Sequence, residues 1–206
     1  LSNLSSNDGG LTWTATLTPT AGITDTSNVI TLDNTGYVDA AGNVGSGTTD
    51  SNNYAIDTRP PTVAITRDTA SLKAGETATL TFTFSEDVGS SFSVGDISVS
   101  GGTLGALTRV DATHYTAVFT PTPGSTANGV VSVASGTFTD VAGNANADGL
   151  DANNSVTLSV DTVRPTATIV VADTALKVGE TSLVTITFSE AVTGFSNADL
   201  TIANGT

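Results

Sequence analysis

Apolar and polar residues alternate with a period of two in the most hydrophobic stretches of the chain. Residues 79–84 read Thr-Leu-Thr-Phe-Thr-Phe, and residues 184–188 read Val-Thr-Ile-Thr-Phe. Tyr115, Ala117 and Phe119 are likewise separated by single residues. Such alternation is typical of antiparallel strands that bury one face and expose the other. No stretch shows the longer period of an amphipathic helix, so the pattern predicts an all-β protein.

Turns rich in glycine and proline separate these strands. They fall at residues 73–76 (Lys-Ala-Gly-Glu), 121–124 (Pro-Thr-Pro-Gly) and 142–144 (Ala-Gly-Asn). Short strands with such turns, in units of about 100 residues, are typical of the immunoglobulin-like sandwich. The chain has no cysteine, which excludes the disulfide found in many such domains. We predict tandem immunoglobulin-like β-sandwiches with about seven antiparallel strands each.

The chain also repeats itself, and Asp57 and Asp161, 104 positions apart, mark the same point of the repeat. At this shift Leu-Lys-Ala-Gly-Glu-Thr at 72–77 lies over Leu-Lys-Val-Gly-Glu-Thr at 176–181. We therefore divide the chain into the C-terminal half of a repeat (1–57), a complete repeat (58–160) and the N-terminal half of a repeat (161–206). The first half-repeat is matched to the complete one through Leu1 and Leu104, Trp13 and Tyr115, Pro19 and Pro121, Tyr37 and Phe138, and Asp39 and Asp140.

The two half-repeats predict that the partners of this chain are neighbouring copies of the same repeat. Residue 206 would continue into residue 1 with no position of the repeat missing. In a head-to-tail array or a filament, neighbouring copies of the repeat would supply the missing half of each sandwich. The alternative is that the ends fall at arbitrary points of a longer chain. We expect the array or filament.

The net charge of the chain limits the classes of partner that it is expected to bind. Twenty acidic residues stand against six basic ones, for a net charge of −14. This excess argues against nucleic acids and anionic membranes as partners and favours cations. No run of about 18 apolar residues is present, so no transmembrane helix is predicted.

Strand direction predicts that five oxygen-bearing side chains meet at one end of the complete sandwich. The strand at 62–67 leaves this end, the strand at 78–84 returns to it, and a later strand delivers the loop at 139–144 to it. Crowded carboxylates repel one another unless a cation neutralises them, and Ca²⁺ takes about six to eight oxygen ligands in a flexible geometry. The sequence therefore predicts a calcium site at the inter-domain junction. Its candidate ligands are Asp57, Glu86, Asp96, Asp140 and Asn144.

Each of these residues also has a purely structural interpretation. The Asp140 carboxylate can cap its own turn through an Asx hydrogen bond, with Gly143 or Asn144 at positive φ. Asp57 can cap the turn before the prolines in the same way. Asp148 and Asp151 are interpreted as a solvated loop rather than a second site.

Four motifs together resemble a known family. They are Asp-Thr-x-x-Pro-Thr at 161–166, Phe-Ser-Glu at 84–86, Phe-Thr-Pro-Thr at 119–122 and Thr-Asp-Val-Ala-Gly-Asn at 139–144. They are similar to the bacterial Ig-like repeats of giant type I-secreted adhesins and biofilm matrix proteins. The resemblance implies extracellular or cell-surface sandwiches with Ca²⁺ at their junctions, and it extends the candidate ligands to matching positions in the half-repeats. Those positions are Asp161, Glu190, Asp199, Asp39 and Asn43. Ala191 stands where the complete repeat has Asp87, which argues against Asp87 as a necessary ligand.

The function expected from these observations is that of a structural extender of an adhesin or biofilm-matrix filament. An alternative is a ligand-binding adhesin module for glycan or protein, which predicts an exposed aromatic cluster or a long variable loop on one repeat only. An enzyme is not expected, because the lone His114 on the polar side of a strand makes neither a triad nor a zinc site. Trp13, as the counterpart of Tyr115, is predicted to be a core aromatic residue.

Overall fold

The computed structural model describes residues 1–203, and these residues form strands and short 3₁₀ helices. The strands are β1 (Ser2–Ser5), β2 (Thr14–Thr16), β3 (Thr24–Asn28), β4 (Thr31–Asp33), β5 (Thr48–Asp50), β6 (Tyr54–Asp57), β7 (Val63–Arg67), β8 (Ser71–Lys73), β9 (Ala78–Phe84), β10 (Ile97–Ser100), β11 (Gly102–Leu104), β12 (Thr108–Arg109), β13 (His114–Pro121), β14 (Gly129–Val133), β15 (Ser155–Asp161), β16 (Ala167–Val171) and β17 (Val184–Phe188). The 3₁₀ helices are Asn34–Gly36, Val94–Asp96, Ala152–Asn154 and Asn197–Asp199. The predicted all-β class is confirmed.

Strands β7 to β15 form a two-sheet sandwich. One sheet has the order β11-β13-β9-β7, with β12 also paired to β13, and the other has the order β10-β14-β15-β8. The alternation seen in the sequence is reproduced in the burial of β9, where Leu80, Phe82 and Phe84 are buried and the threonines between them are not. Antiparallel registers such as Tyr115 opposite Phe82 align the apolar residues of neighbouring strands on the inner face.

The hydrophobic core is confined to the complete repeat. Every buried apolar side chain of residues 1–203 lies between Pro61 and Val160. Phe84, Phe92, Tyr115 and Phe138 form an aromatic cluster with ring centroids 4.8–5.6 Å apart in edge-on or tilted arrangements. Such pairs add to the free energy gained by burying the rings.

The first two strands of the repeat, β7 and β8, belong to different sheets. Strand β7 pairs with β9 in one sheet, whereas β8 pairs in parallel with β15 in the other. Asp68 marks the crossing, because its backbone N–H donates to the carbonyl of Thr79 at 3.1 Å and its carboxylate accepts from the N–H of Thr79 at 3.0 Å. The sequence pattern predicted antiparallel pairs throughout. It missed the parallel pair because β8 has only three residues, too few for an alternation that could indicate the partner strand.

The two outer segments fold only as hairpin-like pairs. In residues 1–57, β1 pairs with β2, β3 with β6 and β4 with β5, and in residues 161–203 β16 pairs with β17. No apolar side chain of either segment is buried. The prediction that Trp13 is a core residue is wrong for this chain, since Trp13 is 58% exposed while Tyr115 is 5% exposed. Within residues 1–203, no second sheet packs against the pair of β1 and β2, which Trp13 immediately precedes.

The confined core predicts a contrast between two aliphatic positions. We expect Leu80→Ala to lower the free energy of unfolding of the complete repeat by about 2–5 kcal/mol, because it leaves a cavity under a fully buried side chain. The control is Val118→Thr on the neighbouring strand, whose side chain is exposed; its effect should stay within about 0.5 kcal/mol. Urea denaturation followed by circular dichroism measures both, and equal losses would contradict the assignment of the core.

Candidate metal centre

The loop after β14 is held in shape by the carboxylate of Asp140. One carboxylate oxygen accepts from the backbone N–H of Asn144 at 2.8 Å, and the other accepts from its side-chain amide at 2.7 Å. Gly143 takes a φ of +95°, a conformation that residues with a Cβ rarely adopt. The structural interpretation of Asp140 as a turn cap is therefore correct. Asp140 is also almost entirely buried, with only 5% of its surface exposed.

Asn144 ties this loop to the junction that enters the sandwich. Its side-chain amide also donates to the backbone carbonyl of Asp57 at 3.2 Å. The Asp57 carboxylate in turn accepts from the backbone N–H of Arg59 at 3.2 Å and from the Thr24 hydroxyl at 3.1 Å. Asp57 thus caps the turn before the prolines, as expected, and connects it to a strand of the first segment.

Glu86 completes a group of three carboxylates. It follows β9 at the end where β7 begins, and one oxygen from each of Asp57, Glu86 and Asp140 lies within 4.8 Å of the others. We call this end of the sandwich the acidic end. Burial raises the pKa of Glu86 above its ordinary value of 4.5, and the negative charges of Asp140 and then Asp57 raise it further, while Arg59 partly opposes the shift.

Three carboxylates in this arrangement offer up to about six oxygens to one cation. Hydrogen bonds within the two turns orient Asp140 and Asp57, and the end of β9 places Glu86 beside them. Burial is the main cause of the raised pKa of Glu86, and the charges of Asp140 and Asp57 add a repulsion that a divalent cation would relieve. The residues therefore fit a hard cation with oxygen ligands.

Asp96 is not part of this group of three, and its role as a ligand stays a prediction. It precedes β10 at the end where β14 finishes, as strand direction predicted, because Ile97 lies opposite Val133. Its carboxylate accepts from the backbone N–H of Ser93 at 2.7 Å and from the Ser93 hydroxyl at 2.9 Å, which forms a capping box on the short helix before β10. Strand direction placed Asp96 at the start of β10, but a capping box uses its carboxylate locally.

Two other acidic residues have structural partners. Asp87 pairs with Arg109 at 2.7 Å, in agreement with its exclusion as a necessary ligand. The Asp148 carboxylate accepts from the backbone N–H of Val63 at 2.7 Å and from the amide of the buried Asn146 at 3.1 Å. The interpretation of Asp148 as merely solvated is therefore wrong. The Asp148 carboxylate holds the loop before β15 against the first strand of the repeat. No local sequence pattern indicates this contact, because the two residues are far apart in the chain.

The candidate ligands of the half-repeats keep the local geometry of their counterparts. Asp39 accepts from the backbone and side chain of Asn43 at 2.9 and 2.8 Å, and these bonds lower the pKa of Asp39. Asp199 forms the same capping box as Asp96, so it shares that local role. Asp161 caps the turn at Val163, and Glu190 follows β17 as Glu86 follows β9. The structure brings none of these residues into a three-carboxylate group within residues 1–203. Their role as ligands stays a prediction.

His114 begins β13 and has a local partner. Its Nδ1 lies 2.9 Å from a carboxylate oxygen of Asp111, and its side chain is partly exposed. Its hydrogen-bond partners, Thr113 and Asp111, lie one and three residues away, so these contacts shape the turn that leads into β13.

The complete repeat is a two-sheet sandwich without a disulfide, and its strands pair antiparallel except for β8 with β15. The family model for the bacterial Ig-like domain matches residues 1–56, 57–160 and 161–206, so the chain belongs to that family. Domains of this family typically serve as non-catalytic modules, often of surface proteins. No curated protein and no solved structure matches the chain. Within residues 1–203 no helix is long and apolar enough to span a bilayer.

The raised pKa of Glu86 predicts a pH effect in calcium-free protein. The unfolded chain has the lower pKa, so the free energy of unfolding that Glu86 contributes is fully present below about pH 4.5 and is lost as the pH rises through the folded pKa. In Glu86→Gln the side chain is neutral at every pH, so this pH-dependent loss of stability is absent. We therefore expect the stability of the variant relative to the parent to increase from about pH 5 to about pH 7.5 in chelator, as measured by thermal unfolding. A difference that is the same at both ends of this range would contradict the electrostatic account.

Proposed function

We propose that this chain is a structural extender of an extracellular bacterial surface or biofilm-matrix protein, and that Ca²⁺ stiffens its inter-repeat junctions. The observation that carries the proposal is the group formed by Asp57, Glu86 and Asp140, with oxygens within 4.8 Å of one another. Asp57 ends the last strand of the first segment, whereas Glu86 and Asp140 belong to the next sandwich. An ion held by all three would join consecutive repeats.

The chemistry of the site favours calcium over other common cations. All candidate ligands are oxygens, which suit Ca²⁺ and Mg²⁺. The chain has no cysteine, and its single histidine, His114, is not part of the group of three. Mg²⁺ demands near-ideal octahedral geometry and gives up its waters reluctantly. Carboxylates carried by three separate chain segments suit the looser calcium shell better. Extracellular modules bind Ca²⁺ with dissociation constants of about 10⁻⁴–10⁻³ M, which matches the calcium available outside cells.

The mechanical role follows from where the charges lie. Without a cation, repulsion among the three carboxylates opposes close approach of β6 to the loops that follow β9 and β14. With a cation, each carboxylate is attracted to the same point. The junction then resists bending, because separating the segments would break metal–oxygen bonds. Asn144 already holds Asp57 and Asp140 together through two hydrogen bonds, so the ion completes a preformed joint.

Calcium binding is tested by thermal unfolding of the 206-residue chain. At a calcium concentration about 100 times the dissociation constant, linkage predicts a gain of about 2.7 kcal/mol in the free energy of unfolding. We expect this gain to fall sharply in Asp140→Asn and Glu86→Gln. The matched control is Glu76→Gln, which removes one charge from the exposed turn at the opposite end of β9.

The joint itself is tested by small-angle scattering with and without chelator. Calcium should reduce the flexibility between the first segment and the sandwich in the parent and in Glu76→Gln. The variants Asp140→Asn and Glu86→Gln should stay as flexible as the parent in chelator. Identical melting and identical scattering with and without calcium would overturn the proposed function.

A further inference from the structure

We propose that the complete repeat is a tension-bearing unit, in which a pull along the chain is resisted where its first and last strands are joined directly. Two contacts make this junction: the parallel pair of β8 and β15, and the bond between Val63 and Asp148. The proposal adds a mechanical property that goes beyond the extender role, and it does not depend on calcium.

The chain enters and leaves this sandwich at opposite ends. Strand β7 begins at the acidic end, because Val63 lies opposite Phe84 and Glu86 follows two residues later. Strand β15 finishes at the far end, where Asp161 lies opposite Lys73, the last residue of β8. A pull along the chain therefore draws the first strands toward the acidic end and the last strand away from it.

The parallel pair is loaded along the direction of its strands. Ser71 lies opposite Ser159, and the pairing continues to Lys73 and Asp161. The backbone N–H of Ser159 also donates to the carbonyl of Ala70 at 2.9 Å. The two strands run in the same direction but are pulled in opposite directions, so the pull slides one strand along the other. Because the hydrogen bonds of a parallel pair are evenly spaced, sliding strains all of them together.

The same sliding movement disturbs the hydrophobic core. Leu72 of β8 lies opposite Val160 of β15, and these side chains are only 3% and 4% exposed. Protein interiors are close-packed, so moving either side chain along the strand breaks its contacts before new ones can form. The core therefore adds to the resistance that the backbone hydrogen bonds provide.

A second contact joins the two loaded segments at the acidic end. The backbone N–H of Val63, the first residue of β7, donates at 2.7 Å to the carboxylate of Asp148, in the loop that leads into β15. The other carboxylate oxygen accepts from the amide of the buried Asn146 at 3.1 Å. Hydrogen bonds to a charged acceptor are stronger than neutral ones. This bond therefore holds the first strand where the pull enters the sandwich.

The residue through which the pull leaves the sandwich is also held. Thr162 directly follows β15 and is buried, and its hydroxyl donates to the carbonyl of Thr122 at 2.7 Å. The same hydroxyl accepts from the backbone N–H of Ser125 at 2.9 Å. The preceding junction repeats the bond, since the hydroxyl of Thr58 donates to the carbonyl of Thr20 at 2.7 Å. The pull on β15 is thus shared with the turn between β13 and β14.

Both loaded strands are also held by antiparallel partners inside the sandwich. Strand β7 pairs with β9 over five residues, and β15 pairs with β14 over four. A pull along the chain acts along these strands as well. A pull across the parallel pair, applied where Lys73 lies opposite Asp161, would instead break its hydrogen bonds one after another. The structure therefore predicts that resistance depends on the direction of the pull.

The direction is tested by single-molecule force spectroscopy on the 206-residue chain in chelator, with handles attached to engineered cysteines. Arg59→Cys/Arg164→Cys is pulled along the chain, and Lys73→Cys/Arg164→Cys is peeled from the end of β8. Each variant loses two exposed basic side chains, so the two are matched in charge. Forced unfolding reports the barrier to unfolding. We expect the force of the first unfolding event to be several-fold higher along the chain.

The length released identifies unfolding of the sandwich. The two anchors are 105 positions apart in the first variant and 91 in the second. At about 3.3–3.6 Å per residue, complete unfolding extends the segment between the anchors to about 350 Å and about 300 Å. Events within the outer segments lie outside the anchors and do not contribute.

The contact at the acidic end is tested by Asp148→Ala in both pairs of anchors. It should lower the force along the chain and leave the peeling force nearly unchanged, because Val63 lies in the loaded path only when the chain is pulled from Arg59. The matched control is Asp151→Ala, which removes the same charge from an exposed position of the same loop. This control should change neither force.

Equal forces in the two directions would overturn the proposal. A fall by the same factor in both directions in Asp148→Ala would also overturn it, because Asp148 would then act only on overall stability. Asp57 lies outside the anchors and the chelator removes calcium, so these results do not bear on the proposed calcium joint. Absence of calcium binding would likewise leave the expected forces unchanged.

Discussion

The repulsion among Asp57, Glu86 and Asp140 is the constraint on which this account depends. Each carboxylate is placed by a local interaction that needs no metal: a turn cap for Asp57, the end of β9 for Glu86 and an Asx turn for Asp140. Together, these local interactions place three carboxylates close to one another in a chain that has 20 acidic and only six basic residues. Burial raises the pKa of Glu86, and the negative charges of Asp140 and Asp57 raise it further.

The core and the acidic end are linked through the order of the strands. Alternation along β9 and β13 buries one face of each strand and fixes their register, and the register decides which loops reach which end. Glu86 is at the acidic end because it follows Phe84, the last buried residue of β9. The register of the strands therefore fixes the positions of the junction loops, and these loops carry the carboxylates of the acidic end.

Much of the fold could be predicted because the period of two is a local signal. The strand at 78–84 has the bounds that the alternation indicated, and the convergence of Asp57, Glu86 and Asp140 followed from strand direction alone. Three features were not predicted. Asp148 bonds the distant Val63, and the three-residue β8 pairs in the sheet opposite to that of β7; in both cases the partner is far away in the sequence. Asp96 is used by a capping box with Ser93, and the Ser-x-x-Asp spacing is the local signal that could have indicated it.

The most direct test of the account is anomalous diffraction from crystals of the 206-residue chain grown in calcium. The account predicts an anomalous peak between Asp57, Glu86 and Asp140, with carboxylate oxygens at about 2.3–2.6 Å from it. Density for water at that position, or carboxylates that have moved apart with no peak among them, would contradict it.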